Sequence, residues 1–322
     1  MGAATQVENL DSESFVINSV VFDAPWSWLA AGWRDLSATP MLSLGYGLIF
    51  ALISMALAYG LTQFGWQAVV IALAGGFLIM GPLFAVGLYE VSRRRADGEI
   101  IASDKITFHA PRSPQQLAFM GFILLFLFSA WLRIAFLLFA IFFGSATLPS
   151  AERFIPELLF TTHGLGLLIV GTAVGAGLAF IAYTISVVSI PLLMEHRVDV
   201  FTAMAVSVRS VMKNPNPMLL WAVLIVAIMA CGIATAFLGL IVAFPLLGHA
   251  TWHAYRDLVH MVPGTADPTI ASLRSPILQT RRGLRRPAAA HHHQASDRRH
   301  HRDPRTALSA KPTRMRPAPE GP

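Results

Sequence analysis

The sequence predicts an all-α, polytopic membrane helix bundle, with six transmembrane helices arranged as three hairpins. Two observations predict this fold class. Of the 322 residues, 55% are hydrophobic and only 13% are charged, whereas soluble domains carry about a quarter charged residues. In addition, several uncharged stretches approach the roughly 20 residues that a helix needs to cross the hydrocarbon core of a bilayer. An ordinary soluble domain is therefore excluded.

The predicted spans lie in a transmembrane domain of residues 25–262, which follows a mildly acidic segment of residues 1–24. No basic region followed by an apolar core opens the chain, so we expect no cleavable signal peptide. The last apolar stretch, Met218 to Tyr255, is too long for one crossing, and we predict a turn near residues 231–235 that divides it. The six spans are predicted at about 42–61, 68–88, 117–143, 165–194, 218–233 and 237–255.

The distribution of basic residues predicts the orientation of the chain. Nearly all of the 24 Lys and Arg lie in loops on one side of the six-span path or in the segment from Arg256 onward. Because cytoplasmic loops are enriched in Lys and Arg, both termini are predicted to be cytoplasmic. A five-span path would place the basic C-terminal segment on the opposite side, against this tendency.

Amphipathic segments precede the first and the fifth span. Each has an apolar helical face and an arginine, which is typical of helices that lie flat at the membrane interface. We therefore predict two interfacial helices on the cytoplasmic side. Their apolar faces consist of Trp26, Leu29, Trp33 and Leu36 in the first helix and of Phe201, Met204, Val208 and Val211 in the second.

A Pro-Leu pair recurs near the cytoplasmic end of the second helix of each hairpin, at Pro82, Pro191 and Pro245. Proline removes one backbone hydrogen bond from a helix, and in a membrane neighbouring groups must satisfy the carbonyl that is freed. The repeat predicts three kinked helices.

Arg133 lies within the third apolar stretch, in the sequence FSAWLRIAFLLF. An arginine at the centre of a spanning helix costs roughly 2.5–3.5 kcal/mol on insertion scales, so it indicates a functional residue. No Asp or Glu lies inside any apolar stretch to pair with it. Two interpretations stay open: a buried role, such as binding an anion or joining helices, and a side chain that extends to the interface.

His249 and His253 are four residues apart and project from one helix face, a spacing that suits a shared metal ion. Glu90 and Glu195 lie at similar depth and are candidates for the further ligands. The alternative is that both histidines belong to an interfacial belt of amphipathic rings. We favour the belt and expect no cofactor.

Gly171 and Gly175 form a GxxxG pair, which lets two helix backbones approach closely. We expect them to pack within one chain, and homo-oligomer formation is the alternative.

The single cysteine, Cys231, excludes a disulfide within the chain. Residues 263–322 are rich in Pro, Arg, His and Ala and predict a disordered basic tail. Such a tail is attracted to anionic lipid headgroups, and no nucleic-acid partner is expected.

Four phrases resemble a family of predicted integral membrane proteins, mostly proteobacterial, known as domain of unknown function 2189. They are GPLFAVGLYEVSRRRADGE (81–99), SIPLLMEHRVD (189–199), NPNPMLLWA (214–222) and FPLLGHATWHAYRDLV (244–259). The resemblance covers roughly residues 15–262. It implies a helical bundle in the bacterial inner membrane and brings no established activity or site residues.

The sequence contains no serine-histidine-acid set, phosphate-binding loop or metal quartet. The functional hypothesis is therefore a non-enzymatic scaffold or partner-binding protein of the inner membrane, bound to the lipid bilayer and to another membrane protein. Two alternatives remain. One is a transporter of a small solute or anion, and the other is a haem- or metal-binding membrane protein.

Overall fold

The computed structural model describes residues 14–99, 111–144 and 151–262, all within the first of two units of the chain, residues 1–264. The predicted basic tail, 263–322, lies outside the described residues. The described part is helical apart from two short strands. Its elements are β1 (Ser14–Ile17), α1 (Ala24–Ala38), α2 (Pro40–Gln63), α3 (Gln67–Phe84), α4 (Val86–Ala96), α5 (Pro114–Phe143), α6 (Ala151–Phe160), α7 (Thr162–Ser186), α8 (Ser189–Glu195), α9 (Val200–Lys213), α10 (Pro215–Ala234), α11 (Leu240–Leu258) and β2 (Val259–Val262).

Five helical stretches of the described chain are long and apolar enough to cross a membrane. They overlap the first five predicted spans, and they comprise α2, α3 with α4, α5, α7 with α8, and α10. The helix α11 is not among them, because its second half carries His249, His253, Arg256 and Asp257. The turn between α10 and α11 falls at residues 235–239, slightly beyond the predicted position.

Proline sets the start of both α2 and α10. Thr39 and Asn214, which precede Pro40 and Pro215, have almost the same backbone angles, with φ of −129° and −125° and ψ of 55° in both. Proline disfavours the helical conformation in the residue before it but fits the first helical position itself. The chain therefore bends at these two points, between α1 and α2 and between α9 and α10.

The helix α11 has more buried residues than any other helix of the described bundle. It runs antiparallel to α1 and α2, which pack along its two halves. Glycines permit the close approach: a Cβ atom on Gly32 would lie 2.7 Å from the backbone nitrogen of Ala250, and one on Gly47 would collide with the backbone of Ile241. An alanine at either position would push α11 away from its neighbours.

Because α1 packs along α11, the exposed face of α1 differs from the apolar face that the sequence predicts. Trp26 and Trp33 are exposed as predicted, but Leu36 is buried together with Trp28. In α9, Phe201 is exposed and Val211 is buried. The two segments are amphipathic helices, each with one face against the bundle.

Helix breaks lie near two of the three prolines. The break between α3 and α4 is at Ala85, three residues after Pro82, and that between α7 and α8 is at residues 187–188, just before Pro191. In contrast, α11 continues as a helix through Pro245.

The two ends of the described chain meet in a short antiparallel sheet. β1 pairs with β2, with Phe15 opposite Met261 and Val16 opposite His260. The start of α10 lies beside this sheet, because the side-chain amide of Asn214 donates a hydrogen bond of 2.9 Å to the carbonyl of Asn18, which follows β1. The segments before α1 and after α11 therefore lie at the same end of the bundle.

We expect a Val16→Cys, His260→Cys pair to form a disulfide on mild oxidation in a Cys231→Ser background. The two residues are strand partners with exposed side chains, and the Cα spacing of strand partners suits a disulfide. A mobility shift on non-reducing gels measures it. The matched control pairs His260→Cys with Phe22→Cys, which is exposed but outside the strand. Equal cross-linking of both pairs would contradict the register.

Candidate functional site: a buried polar cluster and an exposed arginine

A single carboxylate joins three helices at the end of the bundle that carries the sheet. Asp35 of α1 is only 6% exposed. Its Oδ2 accepts hydrogen bonds from the hydroxyl of Ser92 on α4, at 2.7 Å, and from Nε2 of His253 on α11, at 2.8 Å. Its Oδ1 accepts from Nε of Arg95 at 2.9 Å. These residues, together with His249 and Ser43, are called the Asp35 cluster below.

His249 lies at the centre of the Asp35 cluster and is fully buried. Its Nδ1 is 2.8 Å from the hydroxyl of Ser92 and its Nε2 is 2.9 Å from the hydroxyl of Ser43. The one proton of Ser92 goes to Asp35, since a carboxylate only accepts. Nδ1 of His249 must therefore be the donor to Ser92, which assigns a proton to this ring nitrogen.

Hydrogen bonds hold the pKa of Asp35 well below its usual value. Burial alone would raise this pKa, but the hydrogen bonds from His253, Ser92 and Arg95 outweigh burial and lower it to about 2. Asp35 is therefore ionised at neutral pH, and its charge is balanced by Arg95.

The Asp35 cluster differs from a hydrolytic triad in its connections. In a triad the acid orients the histidine, and the histidine activates an accessible serine. Here Asp35 contacts Ser92 directly, and Ser43, Ser92 and His249 are all 0% exposed, so that a substrate has no access to them. What the arrangement does is join α1, α2, α4 and α11.

The candidate metal ligands each have other partners. Glu90 accepts hydrogen bonds from Arg93 and Arg94, both within α4. Glu195 accepts from the hydroxyl of Tyr255 at 2.7 Å and from Arg256 at 2.6 Å. His253 and His249 belong to the Asp35 cluster. Across residues 14–99, 111–144 and 151–262, no group of three or more His, Cys, Asp or Glu has the arrangement of a metal site.

Arg133 lies on the outward face of α5. Its side chain is exposed, and no ion pair or hydrogen bond from it to another described residue is found. The same face carries Phe126 and Leu137, with exposures of 67% and 60%. Ser129, one turn earlier, uses its hydroxyl to bind the carbonyl of Leu125. The structure thus presents one cation in the middle of a surface that is otherwise apolar.

The two glycines of the GxxxG pair have different surroundings. A Cβ on Gly175 would lie 2.8 Å from the ring of Trp131, so this glycine admits the indole between α5 and α7. The indole nitrogen of Trp131 donates to the carbonyl of Ala72 on α3 at 2.7 Å. A Cβ on Gly171 would lie 3.9 Å from Leu167 of the same helix, and this glycine lines a cavity.

That cavity is large and apolar, with a volume of about 810 Å³. Its walls come from α3, α5, α7, α10 and the middle of α11, with Tyr89 of α4 and with Phe154 and Leu158 of α6. Arg133 does not line it. We refer to it as the apolar cavity.

Five membrane-length apolar helices in an all-helical bundle define a multi-pass integral membrane protein. In agreement, residues 69–195, from α3 to α8, match the family model of predicted integral membrane proteins named domain of unknown function 2189. The match confirms the sequence resemblance over this part of the chain. No curated protein and no solved structure matches the chain.

The sequence singles out the two histidines and Arg133 as candidates, but not Asp35, Ser43 or Ser92. Asp35 follows Arg34 in an amphipathic segment and resembles a solvated charge. One signal was available: Asp35 lies seven residues after Trp28, on the face of α1 that is buried. The partners of Asp35 on α4 and α11 are distant in sequence, and no local pattern indicates them.

Replacing Asp35 with Asn is expected to lower the free energy of unfolding by about 3 kcal/mol. This is the lower end of the range for breaking a buried ion pair, because Arg95 remains partly exposed. Denaturant titration in detergent measures the change. Asp23→Asn, at the exposed start of α1, is the matched control and should have little effect.

The stability of the same two variants should also differ in its dependence on pH. Because folding lowers the pKa of Asp35 from 3.8 to about 2, its contribution is complete above about pH 4 and is lost as the pH falls towards 2. Asp35→Asn should lack this part of the acid dependence. An unchanged acid profile in Asp35→Asn would contradict the assignment.

Proposed function

We propose that this chain is a non-enzymatic, partner-binding component of the bacterial cytoplasmic membrane that recognises another membrane protein through Arg133. The exposed position of this arginine on the apolar face of α5 is the observation that carries the proposal.

The chain crosses the membrane six times in this proposal, with both ends of the domain in the cytoplasm. The pairing of β1 with β2 supports an even number of crossings, because two paired strands occupy the same side of a bilayer. Five apolar stretches leave α11 to return the chain to that side. The end of the bundle that carries the sheet also carries arginines, including Arg95 and Arg256. In membrane proteins, segments rich in Lys and Arg lie predominantly on the cytoplasmic side.

Reporter fusions test the topology. Alkaline phosphatase fused after Ser150 is expected to be active, because it would lie outside the cytoplasm, and fused after Pro263 it is expected to be inactive. Green fluorescent protein at the same two sites should give the reverse pattern. Active phosphatase after Pro263 would exclude the six-crossing path.

An exposed arginine in the hydrocarbon calls for a partner. The end of α5 at Phe143 lies ten residues beyond Arg133, about 15 Å of helix rise, and all of those residues are apolar. An extended side chain therefore stops short of that end. A charge at this depth is costly unless it is paired. The guanidinium matches a carboxylate in both charge and geometry. A spanning helix that carries Asp or Glu is the partner with this chemistry.

A second copy of the chain does not meet this requirement. The apolar parts of the five candidate spans contain no Asp or Glu. Glu152 and Glu157 lie in α6, outside these spans, and Glu90 and Glu195 pair with arginines at the cluster end of the bundle. Two copies joined through this face would also bring two Arg133 side chains together. The proposal therefore specifies a different membrane protein.

Replacing Arg133 with Leu is expected to abolish the partner complex and to leave thermal stability unchanged or slightly higher, since an unpaired charge is removed from an apolar surface. A photo-crosslinking amino acid at Leu137, one turn along the same face, would capture the partner in native membranes. The cross-link should persist in Arg133→Lys and in the control Arg34→Leu, which removes an exposed arginine of α1.

Charge reversal identifies the contact itself. Arg133→Glu should lose the cross-link, and an arginine in place of the partner's intramembrane carboxylate should restore it. Equal cross-linking in wild type and Arg133→Leu, or capture of a second copy alone, would overturn the proposal.

The alternatives receive less support. An anion transporter would need Arg133 beside a pathway, but this residue does not line the apolar cavity. Haem or metal binding would need free imidazole nitrogens, but both ring nitrogens of His249 and Nε2 of His253 bind partners in the Asp35 cluster.

The basic tail is proposed to bind anionic lipid headgroups. Each Lys or Arg close to a membrane surface contributes about 1 kcal/mol to such binding.

A further inference from the structure

The apolar cavity is elongated in the direction of the helices. Its α3 wall extends from Ala68 to Pro82, about 20 Å of helix rise, and α7 and α10 line it over comparable lengths. Since α3, α7 and α10 are membrane-length helices, the long axis of the cavity follows the direction of the lipid chains around the protein. Its volume of about 810 Å³ is within the range of ligand sites, about 300–1,000 Å³.

Three of the polar side chains in the walls form hydrogen bonds within the protein. The hydroxyl of Tyr183 donates to the carbonyl of Met218, that of Thr251 to Leu247, and the indole of Trp131 to Ala72. Water in a cavity needs two to four polar partners, and a dry empty cavity destabilises a fold in proportion to its volume. The walls therefore favour a hydrocarbon occupant over both water and an empty space.

The surrounding helices determine how such an occupant would enter. α7 and α10 meet at the hydrogen bond between Tyr183 and Met218, and beyond it the cavity lies between them. In the described chain, α10 packs on α11, α1 and α9 and has no extended contact with α7. At the opposite end, Phe154 and Leu158 of α6 are buried against the cavity.

We propose that the apolar cavity binds one acyl chain of a membrane phospholipid, which enters from the bilayer between α7 and α10. The occupant is hydrocarbon because the walls are apolar, elongated and aligned with the lipid chains. This site is separate from the Arg133 surface, so the failure of either proposal leaves the other standing.

The test uses the full chain reconstituted in vesicles of phosphatidylethanolamine and phosphatidylglycerol. These contain a small fraction of phosphatidylethanolamine with a diazirine halfway along one acyl chain. Illumination followed by peptide mass spectrometry locates the labelled residues. Native mass spectrometry of the protein, extracted in mild detergent, counts the phospholipid that each chain retains.

Two variants fill the cavity from opposite walls, Ala179→Phe on α7 and Ala222→Phe on α10. Ala173→Phe is the matched control, because Ala173 is on α7 and exposed but does not line the cavity. Thermal unfolding checks that each variant is folded. If one filling variant does not fold, the other still tests the site from the opposite wall.

We expect the wild-type protein and Ala173→Phe to carry label on the cavity-facing residues of α7 and α10 and to retain one phospholipid. Both filling variants should lose that label and that lipid, while label on the outward face of α5, around Phe126, stays unchanged. Unlabelled cavity walls in the wild type, retention of detergent in place of phospholipid, or equal cavity labelling in the filled variants would overturn the proposal.

Discussion

The carboxylate of Asp35 is the interaction on which the arrangement of the bundle end depends. An ionised carboxylate that is almost fully buried is stable only where its charge and its lone pairs are satisfied. Ser92 and Arg95 of α4 and His253 of α11 supply those partners, so that α1, α4 and α11 must meet. Gly32 has no side chain and therefore lets α1 lie close to α11. The same short distance between α1 and α11 brings the carboxylate of Asp35 within reach of its hydrogen-bond donors.

The sequence predicts the membrane helices well because the bilayer imposes a length and an apolar composition on each of them. The predicted span 117–143 and the observed α5, Pro114–Phe143, differ by three residues at one end, and the helix-starting prolines explain such differences. The helix α11 is harder to interpret, since it is polar for a membrane span. It is buried against α1 and α2, and its histidines bind protein groups from helices that are far away in sequence.

The repeated Pro-Leu pairs show where local patterns stop being informative. Proline always removes a donor, but whether a helix breaks depends on what surrounds the freed carbonyl. Breaks accompany Pro82 and Pro191, whereas α11 stays continuous at Pro245, where α2 and α4 pack closely against it. The prolines are visible in the sequence, and the packing that decides their effect is not.

Trp131 and Arg133 show how one helix serves two environments. They are two residues apart on α5, so their side chains point in nearly opposite directions. Trp131 lies between Gly75 and Gly175 and forms part of the cavity wall, while Arg133 is on the outward face. A largely apolar interior suits hydrocarbon, and a cation on an apolar exterior suits a carboxylate on another helix. Lipid binding and partner recognition are thus assigned to opposite faces of α5 by the same rule, that charged and polar groups within a bilayer must be paired.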